Sequence, residues 1–463
     1  MNETKINDFI KYFKNSVFHK GNENLTINHV STDSRECGPN QVFLALVGEK
    51  FDAHDFIPDV IKLNCSVIII NKEKILSVED YINEETWVLC VDDTLRAYHE
   101  IAHSYLKTMP NLIKIGVTGS SGKTTVKEII KSLLSTKYKV YANKGNFNNR
   151  FGVPRTALEI TSDIEVAIFE MGMGEPNDIE KYAWIVRPNI ACITSISEAH
   201  IGYFESLEQI ARTKKGIFKY FNHECYAVVN ENEKLYSILV QGVKGKIITI
   251  NKIKSKKIKV IDNLGLNGYL LKVRDKKVRF TLGGGHNVTN LHFGLSIAEI
   301  LNLNTEQIIK GIENVKLPGM RNQIKHGKYT VILDCYNANP DSMISALTHF
   351  NEIPLKDKIN LKKIVVLADM LELGNKSVEL HKSVGEYIAS NCQNINYLFT
   401  TGTYGRYISE HAVSSGFDKT AASYLRDKIE LLEKLKSLIK KGDFILFKAS
   451  RGMKLEEIAE KLL

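Results

Sequence analysis

No stretch of this sequence approaches the roughly 18 consecutive apolar residues of a membrane-spanning helix, so stable insertion in a membrane is not expected. The opening MNETKINDFIKYFKN lacks an apolar segment of signal-peptide length, which points to a cytoplasmic protein. Seven cysteines, Cys37, Cys65, Cys90, Cys192, Cys225, Cys335 and Cys392, are scattered without CxxC spacing. That pattern excludes a zinc ribbon and a disulfide framework, and it suits a reducing compartment. Prolines number only nine, there is no low-complexity linker, and no internal repeat is visible. Basic residues outnumber acidic ones, 62 to 53, for a net charge of +9, yet they do not cluster. The short run from Lys252 to Lys259 reads as an exposed strand pair, not a duplex-binding stripe, so no nucleic-acid partner is expected. A diffuse positive balance does suit substrates that carry several phosphates.

What is present is ordinary globular composition, 43% hydrophobic and 25% charged over 463 residues. At roughly 100–200 residues per domain, that length predicts two to four domains. Apolar runs alternate with helical patterns, as βαβ units around parallel sheets require. The clearest unit runs from a strand at 112–117 through a glycine-rich turn into a helix at 124–134. Strands are also predicted at 166–169, 190–193 and 226–229, with a crossover helix at 178–186. Residues 244–284 alternate in short strands (247–250, 257–260, 269–273 and 277–282) and read as an antiparallel insertion. A helix at 287–301 follows, and its lone Gly294 suggests close helix packing. A third α/β region begins near Leu317, and the first hundred residues form a smaller mixed unit. The expected division is 1–109, 110–315 and 316–463.

The segment Gly116-Val117-Thr118-Gly119-Ser120-Ser121-Gly122-Lys123-Thr124-Thr125 lies between a strand and a helix, the context of a phosphate loop. Successive backbone N–H groups and a helix N-terminus attract phosphate oxygens, and glycines allow positive φ and close approach. Lys123 reaches terminal phosphates in such a loop, and the Thr124 hydroxyl meets Mg²⁺. The usual first glycine of the pattern is replaced by Val117. By itself the loop identifies a nucleotide, ATP or a relative, without separating kinase, motor, switch or ligase.

Glu170 follows a predicted strand, at the carboxyl edge where ligands collect in parallel sheets. His200 follows another. Each residue reads as a structural polar group or as a metal ligand, and His200 is the less comfortable ligand because oxygen donors suit magnesium better than imidazole. Lys214 and Lys215, on a helix predicted from Leu207 to Tyr220, read from pattern as exposed charge.

At this point the chain resembles the Mur ligase family over nearly its whole length. Thr32-Asp33-Ser34-Arg35 and Gly48-Glu49-Lys50-Phe51-Asp52-Ala53-His54 are similar to its first domain. The phosphate loop, Gly145-Asn146-Phe147-Asn148-Asn149, Gly152-Val153-Pro154 and Gly285-His286-Asn287 with Asn290 resemble the central domain. Asp334-Cys335-Tyr336-Asn337-Ala338-Asn339-Pro340-Asp341-Ser342, Asp369 to Gly374, His381 and Lys448 to Gly452 resemble the last. The Tyr336–Pro340 string is typical of the branch that adds a dipeptide. Departures from the usual pattern fall at Leu333, Ser195, Lys215-Gly216, Ala53 and Ala449.

The resemblance implies an α/β fold of three domains, with a central P-loop ATPase-like domain and a C-terminal Rossmann-like domain. It implies an ATP-dependent amide ligase that joins D-alanyl-D-alanine to UDP-N-acetylmuramoyl-tripeptide through an acyl phosphate; a monomer is the default expectation, with no sequence feature behind it. Gly119, Ser120, Ser121, Gly122, Lys123, Thr124 and Thr125 would hold ATP, with Asn287 and Asn290 at adenine and Arg321 and Asp334 at the ribose and phosphate end. Thr124, Glu170, His200 and Lys214 would hold Mg²⁺, Lys214 as a carbamylated lysine. Lys123, Lys214, His200 and Asn337 would form the catalytic set. Ser34, Arg35, Asn146, Asn149, Asn337 and Asn339 would meet substrate. Another ligase of this scaffold with a different acceptor, and a non-catalytic nucleotide-binding protein, are the competing readings.

Overall fold

The computed structural model describes residues 1–13, 16–48, 51–251, 258–354 and 361–463. Glu49 and Lys50 of the first-domain string, and most of the Lys252–Lys259 run, lie outside the described residues. The chain divides into two compact units, the first made of residues 1–116, 138–171 and 181–189, the second of 117–137, 172–180 and 190–463.

In the first unit a five-stranded sheet has the order Val17–His19, Trp87–Val91, Val67–Asn71, Gln41–Leu44, His29–Ser31. All its pairings are parallel except that of the Val17–His19 edge strand. Its central strands are unbroken apolar runs, VIII and WVLCV, buried on both faces as parallel strands are. Phe43, Ile57, Val60, Ile68, Ile70 and Val88 make one of its cores. The sequence reading had no element for Thr94–Lys107, which is a helix. Its N-cap Asp93 accepts from the N–H groups of Leu95 and Arg96, and Ala97, Tyr98, Ile101, Ala102, Tyr105 and Leu106 are buried along it. Val140–Ala142 and Val166–Glu170 form a parallel pair in the same unit.

Strand Ile113–Thr118 passes from the first unit into the second, where it runs into the phosphate loop and the helix Lys123–Leu134. Strands Ile190–Ile193, Tyr226–Asn230 and Lys246–Ile250 pair in parallel in the second unit. The last of these corrects an expectation, because it belongs to the parallel sheet and not to the antiparallel insertion. A short helix, Tyr236–Val240, carries the chain back before the strand begins, and such a crossover makes neighbours parallel. Alternation of apolar residues reveals a strand but not its direction. The true insertion has three antiparallel strands, Ile258–Asn263, Tyr269–Val273 and Lys276–Phe280.

Helix Gly285–Ile300 packs on Lys123–Leu134 at Gly294, as expected. A methyl group there would lie 2.5 Å from Ile129 Cγ2 and 2.9 Å from Leu133 Cδ1. Alanine would gain about 1 kcal/mol of helix propensity, but forcing a methyl into a filled interface costs about 1–3 kcal/mol, and β-branched Ile129 cannot swing aside. Gly294→Ala therefore destabilises the protein in urea titration; an increase in stability would show that the helices separate freely.

The remaining sheet has the order Gln323–His326, Thr330–Asp334, Phe444–Lys448, Lys363–Leu367, Tyr397–Thr400, Ala422–Tyr424. It is parallel apart from the Gln323–His326 edge. Val331, Leu333, Ile364, Val366, Phe399, Ile445 and Phe447 fill one face. Helix Pro340–Glu352 carries His349, which is buried with no partner for Nε2. Burial, reinforced by the Lys363 cation, pushes its pKa down to about 4 from an ordinary 6.5. Between those values the unfolded chain holds more protons than the folded one, so stability rises with pH across that window. The span corresponds to about 3 kcal/mol, fully present above pH 6.5 and lost as pH falls toward 4. His349→Leu should flatten the stability profile between these limits in urea titrations at a series of pH values. An unchanged slope would place the acid sensitivity elsewhere.

Candidate active site

The phosphate loop is built from strand ends that converge on it. Gly119 has φ 152° and Gly122 φ 81°, both in the region that glycine tolerates. A Cβ on Gly119 would overlap the Thr194 hydroxyl, and one on Gly122 would lie 2.9 Å from Asn290 Oδ1. Thr194 continues the strand Ile190–Ile193, and its N–H donates to Thr118 O at 2.9 Å. Ser120 N–H donates to Ser195 O, while Ser197 N–H donates to Ser120 Oγ at 2.8 Å. The Thr194 hydroxyl donates to Ser121 O.

Ser195, a departure from the family pattern, accepts from Ser121 N–H at 3.0 Å and approaches Ser121 O at 3.2 Å. Its short hydroxyl thus braces the loop at Ser121. Lys123 Nζ donates to Gly119 O at 2.7 Å and Ser120 O at 3.2 Å, so it lies folded over the loop it serves. Thr124 is buried in the first turn of the helix and Thr125 is partly exposed.

Two asparagine sets frame this loop. Asn290 Nδ2 donates to Asn287 Oδ1 at 3.1 Å, and Asn287 Nδ2 donates to Gly283 O at 2.7 Å, both buried in the helix Gly285–Ile300. Asn339 caps the helix Pro340–Glu352, accepting from Ser342 N–H at 2.9 Å in a capping box with Pro340 at its start. Its amide also exchanges hydrogen bonds with Ser121 Oγ, at 3.0 and 3.2 Å. The Asn339 side chain, a residue expected to meet substrate, thus serves both the helix cap and the phosphate loop. Losing such a cap costs about 1 kcal/mol. Asn339→Ala should therefore both destabilise the protein by about that much and weaken ATP binding, read by urea titration and nucleotide titration; intact nucleotide affinity would reduce Asn339 to a cap. Asn337 is exposed, and its Oδ1 accepts from Ala338 N–H at 2.9 Å.

Lys214 overturns its pattern-based reading as exposed charge. It is completely buried, and its Nζ has no hydrogen-bond partner. Burial, then repulsion from the Lys123 cation, drives its pKa well below the ordinary lysine range. Its helix is Leu207–Lys215, capped by Ser206, and continues as a 3-10 turn, Gly216–Phe218, before the expected end at Tyr220. The signal was available: Ile210, Ala211, Lys214, Ile217 and Phe218 recur at helical spacing, which places the lysine on the apolar face. Lys215, one position on, is partly exposed and bonds to Gln241 O.

His200 adopts φ 64°, and its Nδ1 lies 2.6 Å from Glu372 Oε2. The hydrogen bond from His200, with the Lys123 cation, holds the Glu372 carboxyl below its ordinary range. Glu372 belongs to the Asp369–Gly374 string but carried no role in the sequence reading. Arg321 stacks on the Tyr336 ring at 3.9 Å, and Asp334 pairs with buried Lys448 at 2.6 Å.

In the first unit, Glu170 is 2% exposed and ends the strand Val166–Glu170. Asn148 Nδ2 donates to Glu170 Oε1 at 2.9 Å, and Asn143 Oδ1 accepts from Glu170 N–H at 2.8 Å. Neither asparagine was singled out as a site residue; only contact with Glu170 distinguishes them from neighbouring Asn146 and Asn149. Asn149 Oδ1 accepts from Phe151 and Gly152 N–H, ordering the turn before helix Gly152–Leu158. Ser34 and Arg35 sit in a short turn, where Arg35 is exposed and doubly bonded to Asp33 at 2.6 and 2.8 Å.

These residues fit a nucleotide with a divalent cation. A side chain at Gly119 or Gly122 would collide with Thr194 or Asn290, so the loop backbone stays bare, and the buried amine of Lys214 has no hydrogen-bond partner. Among the described residues no group of three or more His, Cys, Asp or Glu side chains forms a metal cluster on its own.

A parallel-sheet phosphate loop followed by a Rossmann-like region defines a nucleotide-dependent α/β enzyme. Family models match in three successive blocks: "Mur ligase family, catalytic domain" over residues 26–105, "Mur ligase middle domain" over 117–298, and "Mur ligase, glutamate ligase domain" over 320–451. The chain is 32% identical to UDP-N-acetylmuramoyl-tripeptide–D-alanyl-D-alanine ligase of Bacillus subtilis, covering 99% of this chain and 98% of that protein. The enzyme of the same name from Treponema pallidum is 33% identical, over 93% and 92%. Among solved structures, MurF from Acinetobacter baumannii matches with a TM-score of 0.87 at 26% identity, covering 100% and 99%. The chain belongs to the Mur ligase family, and it has that family's three-domain α/β architecture with a P-loop central domain and a Rossmann-like C-terminal domain. The chemistry of the family runs on ATP and magnesium. Among the described residues no helix is long and apolar enough to cross a membrane.

Proposed function

We propose that this chain uses ATP to join the terminal carboxylate of UDP-N-acetylmuramoyl-tripeptide to the amine of D-alanyl-D-alanine, in the cytoplasm and as a monomer. The product is the pentapeptide precursor of peptidoglycan, with ADP and phosphate. The observation that supports it most is the bond between Asn339, inside the Tyr336–Pro340 string, and Ser121 of the phosphate loop. The string typical of dipeptide-adding ligases thereby touches the loop that would hold ATP.

A carboxylate is a poor acyl donor because its oxygen is a poor leaving group. Its attack on the γ-phosphorus breaks the bond to the β-phosphate oxygen, releasing ADP and forming an acyl phosphate. The amine then attacks the carbonyl carbon, loses a proton, and expels phosphate carrying one former carboxylate oxygen. Lys123, freed from the carbonyls of Gly119 and Ser120, would follow the charge on the transferring group. Asn287 and Asn290 would hold the adenine, and Arg321 and Asp334 the ribose end.

Thr124, Glu170, His200 and a carbamylated Lys214 are the residues that would hold magnesium, which neutralises charge on the phosphates. Burial disfavours the ammonium form of Lys214, and the neutral amine is the form that reacts with carbon dioxide, with loss of a proton, to give an anionic carbamate. Ser34, Arg35, Asn146, Asn149, Asn337 and Asn339 are proposed for substrate, and 1–109, 110–315 and 316–463 as the three functional segments.

Mass spectrometry of products from a matrix of UDP-muramoyl peptides and D-dipeptides tests the assignment. Coupling of D-alanyl-D-alanine to the tripeptide, with ¹⁸O passing from carboxylate to phosphate, is the expected result. Coupling confined to a single amino acid would move the chain to another branch.

A further inference from the structure

The His200–Glu372 pair joins two parts of the sequence that separate family models match, 117–298 and 320–451. Both residues are left-handed, His200 at φ 64° and Glu372 at φ 66°. Non-glycine residues rarely adopt that conformation and persist in it only where surrounding contacts impose it. Here the contacts are visible. Gly202 N–H donates to Glu372 O at 3.2 Å. Gly202 and Gly374 lie back to back, so that a Cβ on Gly202 would come within 2.7 Å of Gly374 N and one on Gly374 within 2.8 Å of Gly202 Cα.

The loop that carries Glu372 is braced from its own side. His381, fully buried, accepts from Met370 N–H at 2.9 Å, and Ser450 Oγ accepts from Leu371 N–H at 2.9 Å. Asp369 accepts from three successive N–H groups, those of Thr403, Tyr404 and Gly405, at 2.8–2.9 Å. Glu372 is thus presented on a rigid support, unlike a free surface carboxylate.

A carboxylate can only accept, so the bond at 2.6 Å places a proton on His200 Nδ1, and the neutral ring in that tautomer offers its Nε2 lone pair to a metal. Buttressing of a ligating imidazole by a carboxylate fixes ring orientation and tautomer. We propose that Glu372 is the positioning residue for His200, and that the His200 metal position is therefore complete only when the 369–374 loop is seated on residues 200–203. Metal binding and docking of these two segments then stabilise each other. The inference rests on the proposed role of His200 as a ligand.

The test uses the full chain with ADP and Mn²⁺ as a probe for Mg²⁺, free Mn²⁺ being counted by electron paramagnetic resonance. Circular dichroism establishes that each variant is folded. His200→Ala should remove one class of bound Mn²⁺. Glu372→Ala should weaken that class by about 10–100-fold. Glu372→Gln, which keeps the shape and one acceptor oxygen, should retain part of the affinity and covers the case in which the alanine variant does not fold. Gly202→Ala should weaken the same class although every candidate ligand remains, because the added methyl lifts the loop away. Wild-type Mn²⁺ affinity in Glu372→Ala or Glu372→Gln, alongside loss in His200→Ala, would overturn the positioning role alone. Wild-type affinity in His200→Ala would overturn the ligand reading and this inference with it.

Discussion

Replacing Lys214 by methionine should abolish ligation while raising the protein's resistance to unfolding. Methionine nearly matches the volume of the lysine stem and removes a buried amine that has no hydrogen-bond partner. Leaving such a group unsatisfied costs about 1–3 kcal/mol, whereas a volume-conserving apolar replacement costs less than about 1.5 kcal/mol. The balance favours the variant. Because burial lowers the pKa of Lys214, the unfolded chain binds the proton that the folded chain releases. Its contribution is therefore greatest above the unfolded lysine pKa and is lost as pH falls through the folded value; methionine removes that slope. Activity should move the opposite way, with turnover lost by about 10²–10³-fold or more if the side chain supports charge at the phosphates. Lys214→Ala, which leaves space, should regain part of its rate with a small carboxylic acid, and ¹³C-labelled bicarbonate should give a carbamate resonance only in the wild type. Normal turnover in both variants would remove Lys214 from the site.

Lys123→Ala should lower ATP-dependent phosphate release by about 10²–10³-fold, the scale of about 2.7–4 kcal/mol seen when one preorganised charged or polar donor is lost. Little of that loss should come from unfolding. The ammonium contacts carbonyls of its own loop, Gly119 and Ser120, while the loop is held by independent bonds from Thr194, Ser195, Ser197 and Asn339. Circular dichroism and urea midpoints close to wild type, with the rate collapsed, are the expected pair of results. Near-normal turnover would refute the assignment, and a collapse of structure would mean that Lys123 holds the loop together.

The contrast between these two lysines shows what can be read from a chain without its fold. Lys123 was legible because its context is contiguous: strand, glycine turn, GKTT and helix follow one another, and a phosphate loop needs nothing distant to be recognised. Helix Asp178–Val186 and strands such as Ile190–Ile193 and Tyr226–Asn230 were equally legible, since periodicity and apolar runs are local properties. Lys214 was misread as exposed because lysine is normally solvated, and one residue type outweighed the helical spacing of its neighbours. Strand Lys246–Ile250 was assigned to the wrong sheet because pairing direction depends on the path between strands.

By itself the sequence determined the α/β class, the phosphate loop, and membership of a ligase family, all of which reside in patterns spanning a few turns or in ordered motifs. Only the tertiary structure decided that Lys214 is buried and unpaired, that Asn339 serves helix and loop together, and that Glu372 meets His200. The physical reason is the same in each case. Burial, hydrogen-bond satisfaction and charge pairing are relations between residues as many as 218 positions apart, as Ser121 and Asn339 are, and they exist only once packing has chosen which surfaces lose their water.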